Sequence, residues 1–349
     1  MKYFEGNGIR GIFNEKLTVE LAYKVGVALS KVLENDTVVV GMDTRESSLV
    51  LAKALMSGFE KNIIFAGEVP TPVISHYAKE NNIIGVMITA SHNPYEYNGF
   101  RVFNKGFELT HEEKMMIESE IDKVTEIGEI EDFIEVNVDV LETYEKVYEN
   151  IYKTNLIKFA LDTANGAAFE VGPHTLINYG KEIYQMGHEP NGRNINYECG
   201  LTNLKYLQEF MDHHKLNLGF AFNGDADKVI VIEDGIVIDG DLIVYILANY
   251  LKKYDLLTNN TVVLTKASSP EVLDALTKRD IKYILIDDGK NIQEVIFEKD
   301  LSLGGEKTGY IILPDYMTTS DAILVSAILL NIIDEEKRAL SDLIEDVKL

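Results

Sequence analysis

Apolar and polar positions along the 349-residue chain fall into two alternating periods. Short runs dense in β-branched residues, "TVVVGMD", "NIIFAG" and "IIGVMIT", read as buried strands. The stretches between and after them, "SSLVLAKALMSGFEK" and "TPVISHYAKE", carry apolar residues at helical spacing. That succession predicts βαβ units and a mostly parallel sheet. The cycle returns twice, from "IKFALDTANGAA" through "TNLKYLQEFMDHHK" to "LGFAFNGD", and from "NTVVLTKASSPEVLDALTKRDIKYILID" to "LSLGGEKTGYI". Three consecutive α/β domains with mixed, mostly parallel sheets fit the length, at roughly a hundred residues each. Their expected bounds are 1–135, 136–236 and 237–349, with the acidic stretch 123–144 as the first crossing and 233–241 as the second.

Parallel strands concentrate function at their carboxyl ends, and each cycle places its unusual residues there. In the first, "NNIIGVMI" runs into "TASHNP", and Pro94 forbids a helix through this point. A strand therefore delivers Ser91 to the start of a loop, exposed and placed to react, unless Ser91 and Asn93 serve only to shape a turn. In the second cycle, "NGDADK" sets Asn223, Asp225 and Asp227 at alternate positions, a pattern that suits a hard cation such as Mg²⁺ or is merely an acidic turn. In the third, "GGEKTG" flanks Glu306 and Thr308 with glycines, giving either a loop that reads sugar hydroxyls or a tight polar turn. Arg10 in "GIRG" and Arg45 in "GMDTRES" offer planar forks for phosphate, or ordinary ion pairs. Together these groups describe phosphoryl transfer: a serine to carry the group, a cation and arginines to neutralise it, and a loop to hold a sugar.

Composition narrows the partners. A formal charge of −24 argues against a nucleic-acid or anionic-membrane surface. The single cysteine, Cys199, excludes an internal disulfide and any cysteine-cluster metal site, which suits a reducing cytoplasm. The opening "MKYFEGNGIRG" has no apolar core of a signal peptide, and no uncharged apolar span reaches about 18 residues. A cytoplasmic protein with a small phosphorylated substrate is expected.

The motifs resemble those of the α-D-phosphohexomutases. "TASHNP" is similar to that family's phosphoserine loop, "NGDADK" to its metal loop (usually DGDAD followed by Arg) and "GGEKTG" to its sugar loop (usually GGEQSG), in the same order and spacing. "NINYECG" at 194–200 and "DYMTTSDAI" at 315–323 most resemble the bacterial phosphoglucosamine mutase branch. The resemblance implies interconversion of hexosamine or hexose 6-phosphate and 1-phosphate through a bisphosphorylated sugar. It implies a phosphorylated Ser91 as donor, with Arg10, His92 and Arg101 at the catalytic centre. It implies one Mg²⁺ held by Asn223, Asp225, Asp227 and the Ser91 phosphate, Arg10 and Arg45 on phosphate, and Glu306, Thr308, Lys307 and Lys228 on the substrate. A homodimer through the first domain is a further expectation.

The chain also departs from the family pattern. Asn223 and Asn7 stand where Asp is usual, and the Asn223 position should weaken the ion. Arg101 stands where Lys is usual, and a guanidinium does not give up a proton. Lys228, Lys307 and Tyr310 replace the usual Arg, Gln and His, and "IDDGKNI" at 286–292 does not reproduce a VGDR-like segment. The family's fourth domain, with its SGT phosphate loop, is not found in these 349 residues. An active mutase, a catalytically impaired phosphosugar-binding or regulatory relative, and a shortened piece of a four-domain chain all remain open to the sequence.

Overall fold

The computed structural model describes residues 1–132, 135–137, 139–154, 156–287 and 290–347. Asp288 and Gly289 of the 286–292 segment, and Phe133, Ile134 and Val138 of the 123–144 crossing, lie outside them.

The predicted strands and helices form three mixed sheets. In the first, the order is β1 (Phe4–Glu5), β2 (Gly8–Ile12), β6 (Tyr97–Asn104), β5 (Ile84–Ile88), β3 (Thr37–Met42) and β4 (Asn62–Glu68), with β7 (Phe107–Glu108) paired to β6. The second runs β12 (Ile236–Ile238), β11 (Val229–Glu233), β10 (Leu218–Phe222), β8 (Lys158–Asp162), β9 (Glu182–Met186), and the third β14 (Lys282–Ile286), β13 (Thr261–Thr265), β15 (Gly304–Gly305), β16 (Ile311–Ile312). In each sheet the parallel pairs lie at one end, β5–β3–β4, β10–β8–β9 and β14–β13–β15, and antiparallel hairpins complete the other, giving the mixed sheets expected. Connection length sets where the hairpins fall. The links from β5 to β6, β10 to β11 and β15 to β16 are too short for a crossover and can only turn back as hairpins. These three short links are the three motif loops.

One buried apolar cluster joins the sheets, running from Val39, Met87 and Phe103 through Phe159 and Phe220 to Val262 and Leu303. It fixes the carboxyl ends of β5 and β10 and the β15–β16 turn against one another. On the opposite face of the first sheet, the helices Val19–Val32 and Ser48–Gly58 pack over Val38, Val40 and Ile84. The first helix starts where Thr18 accepts the Leu21 N–H. The two helices cross at glycines: a Cβ on Gly26 would lie 2.0 Å from the Leu55 carbonyl oxygen, and one on Gly58 2.1 Å from that of Tyr23.

A buried carboxylate ties the chain's last long helix, Ala322–Glu336, to the helix Asp139–Glu145. Asp321 caps the former by accepting the Ile323 and Leu324 N–H groups and also accepts the hydroxyls of Tyr144 at 2.8 Å and Tyr148 at 3.2 Å. Burial pushes its pKa up to about 6 against these bonds.

Two outcomes follow. Gly26→Ala gains roughly 1 kcal/mol of helix propensity but forces the two helices apart, so the net effect is a loss of about 1–3 kcal/mol in urea unfolding; an unchanged midpoint would show that the crossing yields freely. The Asp321 contribution to stability is full below the ordinary carboxylate pKa and is lost as pH rises through about 6. Relative to Asp321→Asn, the native chain should therefore lose about 3 kcal/mol between pH 4 and pH 7. A pH-independent difference between the two would contradict this.

Candidate active site

Ser91 sits three residues beyond β5 with φ of 56°, a left-handed conformation that costs a non-glycine residue about 1–2 kcal/mol. Neighbouring groups hold it there. Thr89 Oγ1 donates to Asp43 Oδ2 at 2.7 Å and accepts the Ser91 N–H at 2.8 Å. The Asn196 amide donates to the carbonyls of Ser91 and Asn93 at 2.9 and 3.1 Å. Gly224 lies so close that a Cβ there would stand 2.7 Å from the Ser91 carbonyl oxygen. The 223–228 loop thus covers Ser91, which is only 2% exposed, where the sequence suggested an open strand end.

Arg45 is the main brace. Its Nε donates to Asp43 Oδ2 at 2.9 Å, Nη1 to the carbonyls of Pro94 and Tyr97, and Nη2 to those of Ser91 and Asn93 at 3.1 and 2.9 Å. A guanidinium has five N–H donors, and all five are spent. The expectation that Arg45 binds phosphate is corrected on this ground: it shapes the loop and has nothing left for a ligand.

Asn223 closes over the serine hydroxyl. Its Nδ2 lies 2.8 Å from Ser91 Oγ and 2.7 Å from both Asp225 Oδ1 and Asp227 Oδ1, while its Oδ1 accepts the Lys228 N–H at 3.0 Å. Thr71 Oγ1 donates to Asp225 Oδ2 at 2.7 Å. Burial, and then Asp227, push Asp225 up to about 6. Asp227 is buried too, yet Arg101 and Lys228 hold it below the usual carboxylate range. Among the described residues no group of three or more His, Cys, Asp or Glu side chains is arranged to hold a metal.

Arg101 is 4% exposed, and both of its Nη atoms are bonded within the protein while its buried Nε has no partner among the described residues. Nη1 donates to Asp227 Oδ2, and Nη2 to Glu108 Oε1 at 2.6 Å and to the Tyr310 hydroxyl at 2.9 Å. Burial opposes its charge, but Tyr310, Glu108 and Asp227 keep its pKa well above the ordinary guanidinium value. Asn7 Nδ2 donates to the same Glu108 oxygen at 3.1 Å. Three departures from the family pattern, Asn7, Arg101 and Tyr310, therefore meet in one network around Glu108. Arg101 is structural here and exchanges no proton, which removes it from acid–base work.

Arg10 on β2 and the Lys228 ammonium are different. Among the described residues neither makes a side-chain hydrogen bond or ion pair, and both act electrostatically on His92. His92 is held below the ordinary imidazole range by partial burial and then by Lys228 and Arg10, so it is neutral near pH 7. Glu306 is half-buried and raised by burial against the pull of Lys228, and it accepts the Thr308 hydroxyl at 3.1 Å. Lys307 is not brought to this group: its ammonium donates to Ser269 Oγ at 2.9 Å and lies 3.8 Å from Asp239. Ser91, His92, Arg10, Asn223, Asp225, Asp227, Lys228, Glu306 and Thr308 are thus linked by hydrogen bonds and charge interactions into one cluster, with Arg45 and Arg101 as its braces. Asn196 and Thr89, both inside quoted motifs, had visible signals; Thr71 and Glu108 enter only through tertiary contact.

The family models that match are phosphoglucomutase/phosphomannomutase α/β/α domain I over residues 1–128 and domain III over residues 239–349. The chain is 39% identical to the phosphoglucosamine mutase of Acetivibrio thermocellus and 37% identical to that of Clostridioides difficile, in each case over 98% of this chain and 80% of the relative. Its fold is that of a putative phosphomannomutase from Thermus thermophilus, with a TM-score of 0.86 at 22% identity over 99% of this chain and 83% of that one. A phosphoglucomutase/phosphomannomutase family protein from Burkholderia thailandensis gives 0.85 at 21% identity over 100% and 80%. With likeness in sequence along nearly all of this chain and the three motif loops joined in one cluster, the chain belongs to the α-D-phosphohexomutase family.

Proposed function

We propose that the chain interconverts hexosamine 6-phosphate and 1-phosphate through a phosphorylated Ser91 and a bisphosphorylated sugar. The observation that carries this reading is the Ser91 hydroxyl, set just beyond β5 in a braced left-handed turn, next in sequence to His92, on which act Arg10 and Lys228, cations without a side-chain partner among the described residues. The amino-sugar preference is supported by the relatives' name, phosphoglucosamine mutase.

In the first half-reaction a sugar hydroxyl attacks the phosphorus on Ser91. The new P–O bond forms as the P–Oγ bond breaks, and the hydroxyl proton passes to a base that hands it on to the departing Ser91 Oγ, which leaves as the hydroxyl. Neutral His92 is suited to take it. Arg10 and Lys228 neutralise the moving phosphoryl group, which is most of what such a transfer asks of a protein. Glu306 and Thr308 hold sugar hydroxyls. The bisphosphate then turns around and returns its other phosphoryl group to Ser91 by the reverse steps.

Mg²⁺, which the family implies, would bring charge neutralisation to the phosphoryl group. The donor set of the unphosphorylated chain does not fit it as a resident ion, because the group aimed between the two carboxylates is the Asn223 N–H₂ and not a lone pair. A second reading, a phosphosugar-binding relative of low activity, is favoured by one observation: Arg101, at the position where the family has Lys, is locked between Asp227, Glu108 and Tyr310.

A coupled assay on the purified chain with glucosamine 6-phosphate and a hexose 1,6-bisphosphate activator separates these readings, and no product above background would favour the second. Ser91→Ala should abolish turnover while changing unfolding free energy by only about 1 kcal/mol, since one loop hydroxyl and its hydrogen bond are lost; retained turnover would remove Ser91 from the mechanism. Arg45→Lys should slow turnover at least tenfold and destabilise the chain by about 2–4 kcal/mol, because a lysine cannot reproduce five directed bonds and leaves Asp43 and four carbonyls short of donors. Native-like rate and stability in that variant would show that the brace is dispensable.

A further inference from the structure

A cleft of about 1030 Å³ opens between the first and third domains, and no residue of the Ser91 cluster lines it. One wall comes from β7 and the helix His111–Lys123, the other from the helix Ile292–Glu298. Phe107 and Phe297 join the two walls edge to face, with ring centroids 4.9 Å apart. Glu108 also lines the cleft and is only 6% exposed, yet just one of its carboxylate oxygens is occupied. Oε1 accepts from Arg101, from Asn7 and, at 3.5 Å, from the Tyr310 hydroxyl. Oε2 is buried and has no partner among the described residues. A buried acceptor left unsatisfied costs about 1–3 kcal/mol, and more when it is charged, so folded proteins keep few of them.

Lys114 supplies the complementary group. Its buried ammonium donates to the Gly6 carbonyl at 3.1 Å and, among the described residues, to nothing else, which leaves two N–H groups of its three. Gly6 holds Lys114 and the next residue, Asn7, holds Glu108, so the free acceptor and the free donors sit side by side without pairing. A ligand with a donor and an acceptor on adjacent atoms would satisfy both. We propose that this cleft binds an unphosphorylated amino sugar or a similar polyhydroxylated amine: the ammonium donates to Glu108 Oε2, a neighbouring hydroxyl accepts from Lys114, and the apolar face of the ring lies on Phe107 and Phe297. A cationic ligand suits the chain's net charge of −24 and the exposed Glu294 and Glu298 that also line the cleft, whereas a phosphate would meet those carboxylates. The cleft shares no residue with the phosphoryl-transfer steps, so the inference does not rest on Ser91.

The test is a ligand-observed NMR titration of the full chain with glucosamine, glucose and N-acetylglucosamine at about pH 6, where an ordinary amine is charged. Glucosamine should bind about tenfold more tightly than glucose, the worth of one charge-assisted hydrogen bond. N-acetylglucosamine, which keeps the nitrogen but loses its charge, should behave like glucose. Glu108→Gln should abolish the preference. Glu294→Trp, a change at an exposed position that fills the cleft, should weaken glucosamine binding by about tenfold and covers the case in which the glutamine variant, deprived of the Arg101 ion pair, folds poorly. Equal binding of the three sugars, no binding of glucosamine, or a glucosamine affinity untouched by Glu294→Trp would overturn the proposal.

Discussion

A single buried guanidinium ties the three sheets together at the site. Arg101 comes from β6 of the first sheet, its partner Asp227 from the loop after β10 of the second, and Tyr310 from the turn between β15 and β16 of the third. A charge taken out of water must be paired and hydrogen-bonded, and removing one partner from such a pair costs about 3–5 kcal/mol. That penalty fixes how the three motif loops meet. Once Asp227 is pinned, Asp225 and Asn223, earlier in the same loop, are carried over Ser91.

Two other constraints act on the same few atoms. Arg45 gathers the carbonyls of the Ser91 turn, and Asn196, in the connection that follows β9, reaches two of the same carbonyls. A left-handed serine is thereby held without a glycine. The braces and the ligand-facing groups are distinct sets. Arg45 spends all five donors and Arg101 three on protein partners, whereas Arg10 and Lys228 spend no side-chain donor on the described residues. Positive charge around His92 comes from that second set, and it suits an anionic substrate despite the chain's net charge of −24.

The sequence carried the alternation of strands and helices, the three motif loops and the family, because each is written in local pattern or in contiguous residues. The "TASHNP" serine, the "NGDADK" oxygens and the "GGEKTG" carboxylate all arrive at one place. What it could not carry was the division of labour among charged residues. Arg10 and Arg45 look alike in sequence, and only the distances from Arg45 to five acceptors show that it has no hand free. Lys307 lies between two site residues in sequence, yet its side chain bonds to Ser269. The altered positions read as separate losses until Asn7, Arg101 and Tyr310 are seen bonded around Glu108, a residue with no local signal. An aspartate at position 7 would face that carboxylate with a like charge, so the substitutions suit one another. The three hairpins at the motif loops were hidden for a related reason: a short link fixes a hairpin only when the partner strand is known.

The central claim is that Ser91 carries the phosphoryl group. The most direct measurement is intact mass of the chain purified from cells, followed by peptide mapping before and after exposure to a hexose 1,6-bisphosphate. The account predicts one phosphate, located on Ser91, whose occupancy rises with the bisphosphate and falls on adding glucosamine 6-phosphate. A chain that stays unmodified at Ser91 under all these conditions, or takes its phosphate elsewhere, would contradict it.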